Sequence, residues 1–231
     1  MDICLQTGVI RMKFSHNELK FAVRWAALGR HVPVGLADDL AKAAVGLAAV
    51  GIDPLKPVVS ALERLGQHHP WGSMSDSFRL SAIEAGPVLS DSLVTGETVL
   101  PLNTCLDNPV LLAGYLCHSP VPQSVKLGWR SRGSDCVLVL GESGLISILG
   151  DDLETLHVET AEVLSYNSAM EMPALISAEH IKQSRSTARE QGVELSEADW
   201  YSLWRLTRQA LSKSSEESRL SGAGASLIDS D

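Results

Sequence analysis

The sequence predicts an α+β fold with N-terminal helices, a central antiparallel meander of three or four strands, and two C-terminal helices. Three observations lead there. Apolar residues recur at i, i+3, i+4 spacing in the first third and near the end of the chain. Alternating and continuous apolar runs between residues 125 and 149 are joined by turns too short for parallel pairing, which needs a crossover of about a dozen residues. The whole is 231 residues long with 45% hydrophobic and 20% charged residues, a balance that suits one globular domain. The expected division is a loose N-terminal arm over residues 1–13, a single domain over 14–213 and a Gly/Ser-rich tail over 214–231. Met12, just before the first helix, is an alternative start to Met1.

The elements follow in order. Ser15 and Glu18 have the spacing of a capping box, and Leu19, Val23, Trp25, Ala26 and Ala27 give the helix after them a broad apolar face that ends near Gly29. A second helix is expected from about Leu36 to Val50, with Asp38 and Asp39 in its first turn, where the helix dipole favours acids, and Gly51 closing it. Asp53-Pro54 reads as N-cap and first helical residue of a third helix to about Leu65, stopped by Gly66; Pro57 is tolerated in the first turn because the N–H groups there have no helical partner. Residues 67–80 read as a polar loop. Residues 84–123, rich in Pro, Gly and Ser, resist assignment except for a short helix over about Asp107–Cys117.

Strands are then expected at Val125–Arg130, Cys136–Leu140 and Leu145–Leu149, with a fourth over roughly Thr155–Leu164. Helix returns over residues 177–191 and stops at Gly192. Ser196 caps the last helix, with Asp199 three residues on and Trp200, Leu203, Trp204 and Leu206 on its apolar side.

Formal net charge is −9, and the acidic excess lies within residues 67–176. No helix carries a basic stripe, so nucleic acid is not an expected partner, and a helix-turn-helix reading of the first three helices fails on the same ground. No run approaches the ~18 apolar residues of a membrane span. The first residues lack the basic and apolar regions of a secretory signal, and Cys4, Cys105, Cys117 and Cys136 lack disulfide or zinc spacing, so a cytoplasmic protein with free thiols is expected.

No phosphate-binding, dinucleotide, nucleophile-elbow, zinc-protease or Cys-x-x-Cys motif is present, so the sequence names no catalytic residue and no cofactor. His68 and His69, with Asp76 downstream, could ligate a metal but have no recognised zinc spacing, and an exposed polar loop accounts for them; no metal is expected. Cys117-His118 is a nucleophile–base pair by adjacency alone, and a buried thiol beside a loop histidine is the simpler account. Trp200 and Trp204, one helical turn apart, are expected in the core, with an aromatic wall for a ligand or partner as the alternative. The tail reads by composition as disordered. The same residues could instead bind an anion: Gly222 and Gly224 permit a nest of backbone N–H groups, Ser218 and Arg219 add donors, and Asp229 could bond a ligand's amine.

That tail, Ser218-Arg219-Leu220-Ser221-Gly222-Ala223-Gly224-Ala225 with Asp229 and Asp231, resembles the end of a bacterial domain-of-unknown-function family. The front agrees in Asn17-Glu18 opening a helix, in Pro33-Val34-Gly35-Leu36-Ala37-Asp38-Asp39 and in the turn Gly51-Ile52; Gly86-Pro87 with Asp91 is a further point of likeness. The resemblance spans about residues 14–231 and departs from the family pattern at Val34, where an aromatic residue is expected, and at Ser230, where Asn is expected. It transfers no activity, but it favours an ordered role for the tail. The expected function is an accessory or binding protein in bacterial small-molecule metabolism, with a metabolic enzyme or a small anionic metabolite as partner. The alternative is a small-molecule enzyme or ligand binder whose segment Ser218, Arg219, Gly222, Gly224 and Asp229 closes over an anionic ligand.

Overall fold

The computed structural model describes residues 10–65, 79–95, 104–121, 124–165 and 172–210. Residues 67–78 of the polar loop, with His68, His69 and Asp76, and the tail, with Ser218, Arg219, Gly222, Gly224 and Asp229, lie outside them, while Arg79 and Leu80, expected in that loop, belong to a strand.

The fold is α+β. Strand β1 (Arg11–Phe14) leads into α1 (His16–Gly29), α2 (Val34–Ala49) and α3 (Leu55–Leu65). Strand β2 (Arg79–Ser81), α4 (Ala82–Thr95), β3 (Thr104–Asp107), α5 (Val110–Tyr115) and a 3-10 turn at Leu116–His118 follow. Then come β4 (Val125–Ser131), β5 (Ser134–Gly141), β6 (Gly144–Gly150), α6 (Leu153–Leu156), β7 (Thr160–Ser165), β8 (Ala174–Ile176), α7 (Ala178–Gln191), β9 (Val193–Ser196) and α8 (Glu197–Ala210).

The capping signals act as read. Ser15 Oγ accepts from Glu18 N–H and the Glu18 carboxylate accepts from Ser15 N–H, completing the capping box of α1. Gly51 follows α2 with φ 85°, and Gly192 follows α7 with φ 81°. Ser196 Oγ accepts from Asp199 N–H at the start of α8. Asp53 does more than cap. Its Oδ1 accepts from Leu55 N–H at the start of α3 and its Oδ2 from Ser196 N–H, tying α3 to the β9–α8 junction. Burial pushes its carboxyl up from the usual range, against those two backbone bonds.

Several boundaries move. Residues 11–13, expected in a loose arm, form β1, which pairs antiparallel with β9 from Arg11↔Ser196 to Phe14↔Val193. Helix α2 begins two residues early, with Pro33 in the N-cap position, so Asp38 and Asp39 sit beyond the first turn. They find side-chain partners instead: Asp38 pairs with Arg24 of α1, and Asp39 with Lys42. The short helix expected over 107–117 is split, because Asp107 belongs to β3 and the last residues tighten into the 3-10 turn. Helix α4 was not expected, since Pro87 lies inside it.

The meander of β4, β5 and β6 is present as the middle of a seven-stranded sheet, ordered β2-β3-β7-β4-β5-β6-β8. Its pairs are antiparallel except β2–β3, which is parallel. Arg132 and Gly133 both take positive φ (52° and 87°), as a two-residue hairpin turn requires. The fourth strand does not extend the meander. Thr155 and Leu156 lie in α6, capped by Asp152, and β7 crosses to pair with β4 and β3, while β8 takes the free edge of β6.

One face of the meander is core. Leu127, Trp129, Cys136, Leu138, Leu140 and Ile148 lie in register and are buried. Trp129 is fully buried, and its indole N–H donates to Thr155 O at 2.8 Å under α6. On the opposite face Arg130 forks onto its register partner Asp135 through two bonds of 2.6 and 2.8 Å.

The core continues into the helices, where α2 is the central member. Ala37, Leu40, Ala41, Ala43, Ala44, Gly46 and Leu47 are all buried. Helix α5 crosses α2 so closely that a Cβ on Gly114 would stand 2.3 Å from Ala43 O, and one on Gly46 2.8 Å from Gly114 O. Trp200 and Trp204 are half-buried against this core, and Trp200 stacks on Phe14 with ring centroids 3.9 Å apart.

A paired substitution tests the crossing. Gly114→Ala must displace the α2 backbone and is expected to lower the urea-unfolding free energy by about 1–3 kcal/mol or more. Gly35→Ala, in the same helix α2 but with open space around its Cβ, is expected to leave stability unchanged or raise it by up to about 1 kcal/mol. Equal stability of the two variants would show that α2 and α5 do not meet at this distance.

Candidate functional site

Helices α2, α4 and α5 diverge where α2 turns its polar stripe outward. The opening is a cleft of about 340 Å³. Asp39 and Lys42 reach it from α2, Ser90 and Asp91 from α4, and Tyr115, His118 and Ser119 from α5 and the turn after it.

Each group arrives for a local reason. Gly86 has no side chain, so the Tyr115 ring lies against it; a Cβ there would stand 2.2 Å from the ring. The Tyr115 hydroxyl is buried and has no hydrogen-bond partner among the described residues. Burial, then the nearby Asp39 charge, hold its proton well above the usual phenol range. An unsatisfied buried hydroxyl costs roughly 1–3 kcal/mol, so this is a donor in want of an acceptor.

Ser119 Oγ donates to Tyr115 O at 3.1 Å, and the Ser90 and Ser119 hydroxyl oxygens are 2.6 Å apart. With the Ser119 proton committed to the carbonyl, Ser90 is the donor of the pair. Lys42 Nζ donates to Asp39 Oδ1 at 2.8 Å, and that bond together with the Asp39 charge raises the lysine pKa, so Lys42 is a firm cation. His118 is lowered from 6.5 by partial burial first, and then by the charges of Arg185 and Arg189. It is therefore neutral at pH 7 and able to accept a proton. Among the described residues it hydrogen-bonds neither serine, so no nucleophile–base pair is assembled.

Cys117, beside it, is a buried thiol as expected. Its Sγ lies 3.4 Å from Gly46 O and 3.3 Å from Arg185 Nη2, and burial pushes the thiol up in spite of the arginine. Cys136 is likewise buried, its thiol pushed up to about 12. Neither thiol is a nucleophile. Among the described residues no group of three or more His, Cys, Asp or Glu side chains is placed to hold a metal ion.

Another cavity, of about 400 Å³, lies between α7 and β9, but its Asp53 carboxylate is bonded to backbone N–H groups and its Lys13 faces Glu194. The α2–α4–α5 cleft differs in holding the Tyr115 hydroxyl, a buried donor without an acceptor among the described residues.

Two of the segments on which the sequence resemblance rests meet here: Asp39 closes the stretch from Pro33, Gly86 seats Tyr115, and Pro87 and Asp91 line the cleft. Residues 14–86 match the model of a family described as Protein of unknown function (DUF3726). The match covers α1, α2 and α3 and the first turn of α4, and so includes Asp39 and Lys42 but not the α5 side of the cleft. No curated protein and no solved structure matches the chain.

Sequence reasoning missed Lys42, Ser90, Tyr115 and Ser119 as a group, because three separate helices bring them together and no local spacing marks them. In the sequence Asp39 reads as a dipole partner and His118 as a loop residue beside a buried thiol. The tail residues chosen for an anion, Ser218, Arg219, Gly222, Gly224 and Asp229, lie outside the described residues.

His118 gives a pH prediction. Its folded pKa lies below the ordinary 6.5, so its contribution to stability is complete above pH 6.5 and is lost as pH falls through the folded value. Proton NMR titration of the His118 ring is expected to show a midpoint below 6.5, and His118→Gln should flatten the acid side of the stability profile. A midpoint above 6.5 would mean that burial and the two arginines do not act on this ring.

Proposed function

We propose that the chain is a cytoplasmic binding protein of bacterial small-molecule metabolism, and that the cleft between α2, α4 and α5 holds a small polar metabolite. The observation that carries this reading is the buried, partnerless Tyr115 hydroxyl in a cleft that also presents Lys42, Ser90 and neutral His118. Ligand sites are commonly concavities of about 300–1,000 Å³ with a few convergent polar groups.

The lining chooses the ligand class. Lys42 offers a cation to a carboxylate, Asp91 an anion to an ammonium group, and Ser90 and Tyr115 offer hydroxyls. The Asp39–Lys42 pair is solvent-exposed, so its net strength is only about 0–1 kcal/mol and a ligand carboxylate can recruit Lys42 at little cost. A small amino acid or hydroxy acid meets these groups. The accessory role follows if the loaded protein passes that molecule to, or senses it for, a metabolic enzyme. An enzymatic reading rests on one observation, the neutral His118, which is suited to general-base work at pH 7.

Native mass spectrometry of the full chain, purified gently from its own host, tests the proposal. The wild type is expected to carry a small-molecule adduct. Lys42→Met and Tyr115→Phe are expected to weaken its retention at least about tenfold, equivalent to about 1.4 kcal/mol, while the fold is kept. Adduct retention unchanged in both variants, or a wild type that carries a partner protein and no small molecule, would remove the cleft from the account. Turnover of the released molecule lost in His118→Gln would favour the enzyme.

A further inference from the structure

The seam between α7 and the β5–β6 hairpin holds a cavity of about 470 Å³ that the cleft reading does not use. Lys182, Arg185 and Arg189 line it from one side of α7, at spacings of three and four residues that place them on one face. Ser143 and Ser186 add hydroxyls, and Leu145, Ile146 and Ile181 supply apolar wall. No Asp or Glu is among its described lining residues.

Among the described residues no carboxylate neutralises the three cations. Arg24, Arg64, Arg130 and Arg205 each meet a carboxylate within 4 Å, whereas among the described residues none is that near to Lys182, Arg185 or Arg189. Arg185 is the most telling. It is half-buried, and its Nη2 donates to Cys117 O at 2.8 Å and contacts Leu145 O at 3.3 Å. Those carbonyls fix the guanidinium plane without cancelling its charge. Its Nε is buried and has no partner among the described residues. A guanidinium cannot shed its proton to relieve this, so the site is short of an acceptor. Three acids stand close in sequence to the lining, and none of them lines the cavity: Glu142 beside Ser143, Glu179 beside Ala178, and Glu190, which accepts from Ser186 Oγ at 3.1 Å.

We propose that this seam binds the phosphate group of a small phosphorylated molecule. A phosphate monoester is a dianion near neutral pH with several acceptor oxygens, which suits three cations and two hydroxyls better than a single carboxylate does. The cavity is larger than a bare phosphate, and Leu145, Ile146 and Ile181 offer surface to a short carbon skeleton.

The test is calorimetric titration of the full chain with glycerol phosphate, inorganic phosphate and acetate at one fixed ionic strength. Glycerol phosphate is expected to bind saturably and more tightly than inorganic phosphate, with acetate weaker than both. Removing Arg185 would also strip donors from the Cys117 and Leu145 carbonyls, so the deciding variant is the double substitution Lys182→Gln and Arg189→Gln, which breaks no side-chain hydrogen bond among the described residues. It is expected to weaken glycerol phosphate binding at least about tenfold with an unchanged melting temperature. Lys42→Met, in the helical cleft, is expected to leave that binding intact. The proposal is overturned if no saturable binding is seen, if acetate binds as tightly, if the double variant binds as well as wild type, or if Lys42→Met abolishes binding.

Discussion

The burial of α2 is the constraint from which the rest of the architecture follows. A helix covered on most of its circumference cannot carry large side chains on every side, because its neighbours must still reach interaxial distances of roughly 8–10 Å. Its sequence meets this with alanines at 37, 41, 43, 44, 48 and 49 and glycine at 46, leaving Leu40 and Leu47 as the large fillers. The closest neighbour, α5, answers with Gly114, whose backbone lies against Ala43. Backbone contacts of this kind admit little adjustment, so once α5 is seated the turn that follows it is placed as well. That turn runs into Gly144 of the sheet, where a Cβ would stand 2.4 Å from Cys117 O. The helical layer and the meander are thus joined through two glycine contacts and one 3-10 turn.

The same constraint opens the cleft. A helix that is apolar nearly all round has to concentrate its charges on what remains, and in α2 that is the stripe of Asp38, Asp39 and Lys42. Asp38 is taken by Arg24, which locks α1 to α2. Asp39 and Lys42 are left facing α4 and the end of α5, which have already been brought near by the glycine crossing and by the Tyr115 ring on Gly86. Packing demands and polar opportunity therefore coincide at one place, without any sequence motif to announce it.

This explains what could and could not be read in advance. Local rules worked where the physics is local: the capping box at Ser15 and Glu18, the positive-φ residues Gly51 and Gly192, the Ser196 cap and the hairpin turn at Arg132-Gly133. They failed where tertiary contacts override them. Pro87 argues against a helix, yet α4 continues through it because Gly86 and the residues about it are held against Tyr115. Strands β2, β3, β8 and β9 are three or four residues long, too short for a period-2 pattern to stand out: β3 and β8 pair with the longer β7 and β6, β2 pairs with β3, and β9 with the equally short β1. Strand β7 was seen but misplaced. Nothing local says that the chain passes across the meander to reach β4, and the decision lies in β8 occupying the edge of β6. The candidate cleft belongs to the same class: each of its side chains is ordinary where it stands in sequence, and only the crossing of α2 with α5 makes them neighbours.

Arg185 connects the two cavities through the 3-10 turn. Its guanidinium holds the carbonyl of Cys117, and the next residue, His118, faces the helical cleft. Carbonyl dipoles satisfy hydrogen bonds but leave the unit charge in place, so the seam keeps a positive potential and the imidazole one residue further on responds by giving up its proton more readily. An anion seated against Arg185 and Arg189 would cancel that part of the effect. It would not restore an ordinary histidine, because burial is the largest of the causes acting on His118 and does not depend on what occupies the seam. Filling the seam is expected to raise the His118 pKa, so the two cavities are coupled by charge through the turn that carries Cys117 and His118.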